Sequence, residues 1–334
     1  MIQMLAACRP VRPVSLEWLL RLSSRFESTD LRDKIYALLG LVCDKHRAFI
    51  PDYKKPLSLV LQDLVRFLIQ ASENLNILSG NRFGTNSDGP SWVPCLSQQM
   101  HIETALSVQD SPFTASNNWA PRATFDISSG TMSVKGLLVG KVKTVIGPFK
   151  PATQLPTDPE GIQAEAKRLG HHQLMQDFKT FGRGLDPENE DMFWRTLVMN
   201  QDISNMENAK SAPEEFGHLY RVFIGKQPVP MDFLPNAPIG VRIAEFSRPF
   251  HTTMDQTTAS RSFFTTDCSR MGLGPYCTQA EDIIVVLLGS SVCHVLRETE
   301  SHYTLIGDAY VHNIMGGELV RDRVDEEFHD FVLR

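Results

Sequence analysis

The stretch that decides the fold is Thr29-Asp30-Leu31-Arg32-Asp33-Lys34-Ile35-Tyr36-Ala37-Leu38-Leu39-Gly40-Leu41. It predicts one short helix with a marked beginning and a marked end. A side-chain oxygen of Thr29 or Asp30 can accept a hydrogen bond from an amide of the first turn. Gly40 stands where the helix should stop, because glycine tolerates the left-handed conformation that ends many helices.

The apolar side chains of this stretch predict which face of the helix is buried. Ile35, Leu38 and Leu39 follow the i, i+3, i+4 spacing of a buried helical stripe. Arg32 and Asp33 stand directly before that stripe, and two interpretations are open for them. Solvated ion pairs at a helix start would contribute little to stability, whereas partly buried charges would lock this helix to the segment that follows.

Five segments of the chain resemble consecutive segments of one protein family. Residues 32–41, here called the hallmark stretch, are similar to the hallmark of fungal heterokaryon-incompatibility (HET) domain proteins, although Leu31 stands where that hallmark usually has proline. The other four follow in the order and spacing of the family: residues 50–53, 90–94, 272–275 and 305–312. A frequent family run is also similar to residues 193–200.

The resemblance implies which part of such proteins this chain corresponds to. In the family these segments follow an N-terminal HET domain that has its own signature. No segment of this sequence resembles that signature, so we expect the chain to correspond to the region C-terminal to the HET domain. The activity of the HET domain is therefore outside what the resemblance implies.

Composition and charge are those of an ordinary soluble globular protein. The chain has 334 residues, 42% of them hydrophobic and 22% charged, and its formal net charge is −6. Lysine and arginine form no block, so nucleic acid is not an expected partner. The longest apolar runs, such as residues 283–288, are far too short to span a bilayer, and the N-terminus lacks a signal-peptide pattern. We therefore expect a cytoplasmic protein with no membrane association.

The cysteines and histidines predict neither disulfides nor a metal site. The six cysteines are few for a chain of this length, and a reducing compartment keeps thiols free. Cys268 and Cys277 have no nearby histidine pair, and the adjacent His171 and His172 cannot share a helix face. We interpret the cysteines as small buried hydrophobic residues. Because no phosphate loop, dinucleotide fingerprint or zinc-binding helix occurs, we expect no cofactor and no metal.

Periodicity predicts an α+β fold made of four regions. Residues 1–100 have helical spacing, clearest at 57–71, and form a predicted helical N-terminal layer. Residues 101–146 alternate as β-strands do. Residues 147–250 form a variable, mainly helical insert. Residues 251–334 predict a C-terminal antiparallel β-barrel-like unit, because short apolar strands there are separated by turns.

Two local predictions in the last region concern a turn and a helix. Gly272-Leu273-Gly274-Pro275 superficially resembles a phosphate cradle. The strand-like run at residues 283–288 leaves it without the helix that a cradle needs, so a turn is favoured. Residues 324–333 are predicted to form a terminal helix.

Seven residues are candidates for structural or interaction roles, and none is a candidate for catalysis: Arg32, Asp33, Tyr36, Trp92, Tyr310, His312 and Glu318. Two prolines flank Trp92 and exclude a helix interior. This favours an anchor packed against the helices over a ligand-stacking side chain. The last three residues come closest to a catalytic group, but a satisfied hydrogen-bond network at the mouth of a barrel is favoured over chemistry.

The resemblance implies a regulatory or interaction module linked to fungal self/non-self recognition or programmed cell death, with another protein as its partner. The alternative is an enzyme or accessory protein of a fungal secondary-metabolite biosynthetic gene cluster. A deep pocket with convergent polar groups at the end of the β-rich unit would favour the enzyme. A large exposed apolar patch would favour the binding module.

Overall fold

The chain forms two compact units that each combine segments distant in sequence. The structure, a computed structural model, describes residues 15–24, 26–42, 48–80, 89–94, 106, 111–148, 171–202 and 210–334. The first unit contains residues 1–139, 282–308 and 314–334, and the second contains residues 140–281 and 309–313. Within the described ranges, no helix is long and apolar enough to cross a membrane.

Helices and strands alternate in blocks along the described residues. The α-helices are α1 (Leu16–Leu22), α2 (Asp33–Tyr36), α3 (Leu57–Ser72), α4 (His171–Arg183), α5 (Pro187–Leu197), α6 (Glu215–Phe223), α7 (Ile239–Phe246) and α8 (Arg248–Thr258). The strands are β1 (Ala123–Asp126), β2 (Thr131–Ile146), β3 (Gln201–Asp202), β4 (Lys210–Ser211), β5 (Arg261–Thr266), β6 (Met271–Pro275), β7 (Ile283–Leu287), β8 (Cys293–Glu298), β9 (Tyr303–Val311) and β10 (His329–Leu333).

The two longer helices of the first unit begin where their sequence predicts. The Ser15 Oγ accepts the Trp18 amide at 3.1 Å and caps α1. α3 follows Pro56, a residue that cannot lie in a helix interior. A single turn of 3-10 helix, Asn76–Leu78, comes shortly after α3. The helical character predicted for the N-terminal layer is therefore confirmed over these residues.

The helix predicted over residues 29–41 is much shorter than expected. Only α2 is helical, because the amides of Leu38, Leu39 and Leu41 bond to carbonyls three residues back and continue the chain as tight turns. Gly40 does not have a positive φ, so no left-handed residue ends the helix. Ile35 is fully buried, but Leu38 and Leu39 are only half-buried.

The strands of the first unit close into a ring. β7, β8 and β9 are neighbours in that order, and β7 also pairs with β2. β10 pairs antiparallel with β2, where Phe331 lies opposite Val134, and in parallel with β9, where Leu333 lies opposite Tyr303. The circuit therefore returns to β2 and leaves little open edge, which makes the arrangement close to a barrel. The predicted α+β architecture is confirmed, although the ring recruits β2 from outside residues 251–334.

Gly136 permits the close approach of β2 and β7. A Cβ atom built on Gly136 would lie 2.4 Å from the carbonyl oxygen of Val286 and 3.1 Å from the Cα of Leu287. Close-packed backbone atoms cannot absorb such a contact without moving. Beside it, the Leu288 amide donates to the Lys135 carbonyl at 2.9 Å. Glycine at this position therefore lets the ring close.

One hydrophobic core joins the helices of the first unit to its ring. α3 contributes the buried side chains of Leu64 and Leu68, and β7 contributes those of Val285 and Leu287. Ile35 of the hallmark stretch belongs to the same core. Full burial of such a side chain contributes about 1.5–3 kcal/mol, so this core fastens the helical layer to the strands.

The second unit packs helices of the insert around aromatic rings. Its strand β5 pairs with β6 on one side and with residues 142–146 of β2 on the other. Phe193 of α5 lies at the centre, with ring centroids 5.0–6.1 Å from those of Phe178, Phe181, Tyr220 and Phe263. The pairs with Tyr220 and Phe263 are edge-to-face, and such pairs add to the stabilisation that burial alone provides.

Two local predictions near the C-terminus are wrong. Residues 272–275 belong to the buried strand β6 rather than to a turn, and a Cβ atom on Gly272 would lie 2.3 Å from the Phe264 Cζ. Glycine thus serves close packing there. Residues 324–333 contain a short 3-10 helix, Asp325–Glu327, followed by β10. The open edge of β2 pairs with this segment, whose buried Phe331 and Leu333 alternate as in a strand.

The cysteine prediction holds only in part. Cys268, Cys277 and Cys293 are free, but Cys268 is exposed and only Cys293 is buried. Cys268 lies in the turn between β5 and β6, outside the buried strands. The other three cysteines, and residues 149–170 and 203–209 of the predicted helical insert, lie outside the described residues.

Replacement of Gly136 by alanine is expected to destabilise the first unit. The added methyl group must displace the backbone of β7, which costs roughly 1–3 kcal/mol or more. Gly40→Ala is the matched control, because no atom lies within 4 Å of a Cβ built there. Urea denaturation measures both variants. Equal midpoints for Gly136→Ala and Gly40→Ala would contradict the role assigned to Gly136.

Candidate functional site

Arg32 fastens the hallmark stretch to the loop formed by residues 51–56. Its guanidinium bonds to both carboxylate oxygens of Asp30, the shortest contact being 2.7 Å. The same group donates to the carbonyl oxygens of Tyr53 at 2.7 Å and Lys55 at 3.0 Å, and it lies over the Tyr53 ring. Hydrogen bonds from Arg32 hold the pKa of the Asp30 carboxyl below its usual value. Of the two interpretations, the contacts support a lock rather than a purely solvated charge.

Asp33 and Tyr36 contact the same loop from the next turn of the chain. The Tyr53 hydroxyl donates to the Asp33 carboxylate at 2.5 Å, and this hydrogen bond raises the pKa of Tyr53. The Tyr36 hydroxyl donates to the Asp52 carbonyl at 3.1 Å and accepts the Asp52 amide at 3.0 Å. We call Arg32, Asp33 and Tyr36, together with residues 52–55, the clasp. It joins two of the segments that carry the family resemblance.

Trp92 belongs to the core that the helices share, and its indole also contacts the β1–β2 hairpin. The indole is almost fully buried, and its Nε1 donates to the Gly130 carbonyl at 3.1 Å. Its ring lies 5.7 Å from that of Phe125 in β1. A side chain held in this way has a satisfied donor and a covered face, which fits packing better than ligand stacking.

The structure brings two of the three C-terminal candidates together. The Tyr310 hydroxyl lies 3.1 Å from the Nδ1 of His312, and both side chains are buried. These residues belong to the second unit. Glu318 belongs to the first unit, where its carboxylate accepts the Gly316 amide at 2.9 Å. The structural or interaction roles predicted for these three residues stay untested.

Asp308 is the main site residue that sequence reasoning missed. Its side chain is fully buried and accepts the Ser79 hydroxyl, the Gly80 amide at 3.0 Å and the Leu106 amide at 2.7 Å. Buried carboxylates persist when several donors satisfy them. Its signal in the sequence was an acidic residue inside an otherwise apolar strand, at Ile306-Gly307-Asp308.

A second buried carboxylate has an ionic partner. The side chain of Asp282 accepts hydrogen bonds from the guanidinium of Arg297 at 2.8 and 3.0 Å. Within the part of the chain that the structure describes, no group of three or more His, Cys, Asp and Glu could hold a metal ion. The expectation of no metal and no cofactor stays a prediction.

Two surface features bear on binding. A pocket of about 550 Å³ lies in the helical layer, lined by α1, α2 and the turns around them. In the second unit, exposed apolar side chains are concentrated around α7, a helix with no buried residue: Met231, Leu234, Ile239 and Val241. Exposed apolar clusters of this kind mark interaction surfaces more often than isolated side chains do.

Comparison with known proteins gives one family match over the C-terminal residues and one relative that aligns with most of the chain. Residues 243–333 match the family described as Het-6 beta-barrel domain. The chain is 24% identical to Heterokaryon incompatibility protein 6, OR allele, of Neurospora crassa, over 90% of this chain and 50% of that protein. The chain thus spans about half the length of this relative. No solved structure gives a significant match.

Removal of the Tyr36 hydroxyl is expected to weaken the clasp. Tyr36→Phe keeps the ring contacts but leaves the Asp52 amide without its acceptor, at a cost of roughly 0.5–1.5 kcal/mol. Tyr303→Phe is the control, since within the described residues the Tyr303 hydroxyl has no hydrogen bond. Hydrogen exchange at the Asp52 amide should accelerate only in Tyr36→Phe. The same exchange rate in both variants would rule out this contact.

Proposed function

The chain contains a Het-6 β-barrel domain and is a distant homologue of the Neurospora heterokaryon incompatibility protein, and we propose that it acts as a regulatory or interaction module in fungal heterokaryon incompatibility. The observation that carries the proposal is the extent of the match. It covers 90% of the chain, so it includes the hallmark stretch as well as the barrel. Self/non-self recognition, or the cell death that follows it, is the process in which this module acts.

Surface chemistry supports binding over catalysis. Met231 is 89% exposed and Ile239 is 62% exposed, although both side chains are strongly apolar. The pocket lies in the helical layer, and neither Tyr310 nor His312 lines it. These features favour the binding module over the biosynthetic alternative. In this proposal the chain binds another protein, and it does so in the cytoplasm.

The proposal has a genetic test in Neurospora crassa. The chain is expressed in one strain of a pair that is incompatible at the locus of the OR allele. Because the chain aligns with about half of that protein, it should compete for the same partners and raise the fraction of viable fused cells. In a compatible pair, it should change nothing.

Two variants make this test specific. Gly136→Ala, which disturbs the ring, should lose the effect, and Gly40→Ala should keep it. Immunoblotting shows that both variants accumulate to the level of the unaltered chain. If the unaltered chain leaves the viability of incompatible fusions at the level of an empty vector, the proposed role is wrong.

A further inference from the structure

The pocket in the helical layer has the size of a small-molecule site. Its volume is about 550 Å³, inside the range of roughly 300–1,000 Å³ that is typical of ligand pockets. Its walls come from α1, α2 and the turns that follow each helix. The hallmark stretch therefore supplies one whole side of it.

The walls of the pocket are mainly apolar. Leu22, Phe26, Leu38 and Leu41 all line it. Phe26 is 38% exposed and Leu41 is 36% exposed. Side chains of this size contribute burial free energy only when something covers them. A bound molecule with an apolar body would provide that cover.

The charges of the pocket favour a cationic ligand. Among the residues that the structure describes, Glu27, Asp33 and Lys34 are the ionisable ones that line it, and their summed formal charge is negative. Asp33 already accepts the Tyr53 hydroxyl. Glu27 is exposed and has no hydrogen bond or ion pair within the part of the chain that the structure describes. Its carboxylate is therefore open to a cation at the pocket mouth.

We propose that this pocket binds a small apolar molecule with one cationic ammonium group. The apolar body covers Phe26, Leu38 and Leu41, and the ammonium group pairs with the Glu27 carboxylate. An organic anion of the same shape would meet the carboxylates of Glu27 and Asp33 and bind less well. This inference is independent of the proposed role in incompatibility.

Three fluorescent probes with one apolar body and different charges test the proposal. They are 1-pyrenemethylammonium, neutral 1-pyrenemethanol and anionic 1-pyrenecarboxylate, each titrated into the full chain. The ammonium probe should bind saturably with one site per chain, and more tightly than the other two. Binding that does not saturate, or tighter binding of the carboxylate, would overturn the proposal.

Matched variants locate the bound probe. Ala37 is exposed and lines the pocket, so Ala37→Trp should fill the pocket and abolish saturable binding. The control is Ala244→Trp on exposed α7, which should bind as the wild type does. Glu27→Gln should weaken the binding of the ammonium probe about two- to five-fold, the scale of an exposed ion pair. The affinity for neutral 1-pyrenemethanol should not change. Circular dichroism checks folding, and unchanged ammonium binding by Ala37→Trp would place the probe elsewhere and refute the assignment.

Discussion

The buried carboxylate of Asp308 ties the helical layer of the first unit to its strands. It lies in β9, while its donors Ser79 and Gly80 follow the 3-10 helix after α3. A buried carboxyl group that loses its hydrogen-bond donors is strongly unfavourable. The segment that carries Ser79 must therefore stay on the ring whenever the ring is folded. Arg21 of α1 fastens the first helix to this same segment, because it donates to the carbonyls of Asn76 and Ser79 at 3.0 and 3.1 Å.

The hallmark stretch belongs to this helical layer, and its side chains make three kinds of contact. Ile35 enters the core, Arg32 and Tyr36 hold the loop at residues 52–55, and Leu38 lines the pocket. The stretch can make all three contacts because the tight turns that follow α2 point successive side chains in different directions. The half-buried state of Leu38, which departs from the helical stripe, is what leaves it available to the pocket.

Local periodicity predicted the elements whose own sequence decides them. The apolar stripe of α3 and the continuous apolar run of β7 follow from residue spacing alone. The barrel-like character of the C-terminus also followed, because short strands and turns alternate there. A lock formed by Arg32 and Asp33 was one of the two interpretations that the sequence left open. The sequence around Arg32 did not predict that its partners would be residues 52–55.

The features that the sequence did not predict depend on contacts between segments that are distant in the chain. β2 pairs with β7 and β10, from which the whole insert separates it in sequence. Local sequence patterns do not predict pairing between strands that are so far apart in the chain. Gly272 was taken for a turn residue because glycine serves turns and close packing alike, and only the neighbouring Phe264 and Tyr310 distinguish the two. Residues 329–333 form a strand because β2 offers an edge to them. Asp308 was missed because its donors come from segments far away in sequence.

The measurement that tests this account most directly is native-state hydrogen exchange on Asp308→Asn. The change keeps the size of the side chain but replaces the carboxylate that accepts three hydrogen bonds with an amide, which carries donors of its own. If Asp308 ties the layers together, amides of α3 and of β7 should lose the same amount of protection, about 1–3 kcal/mol or more. If the amides of β7 lose protection while those of α3 keep theirs, the helical layer is held independently and the central claim fails.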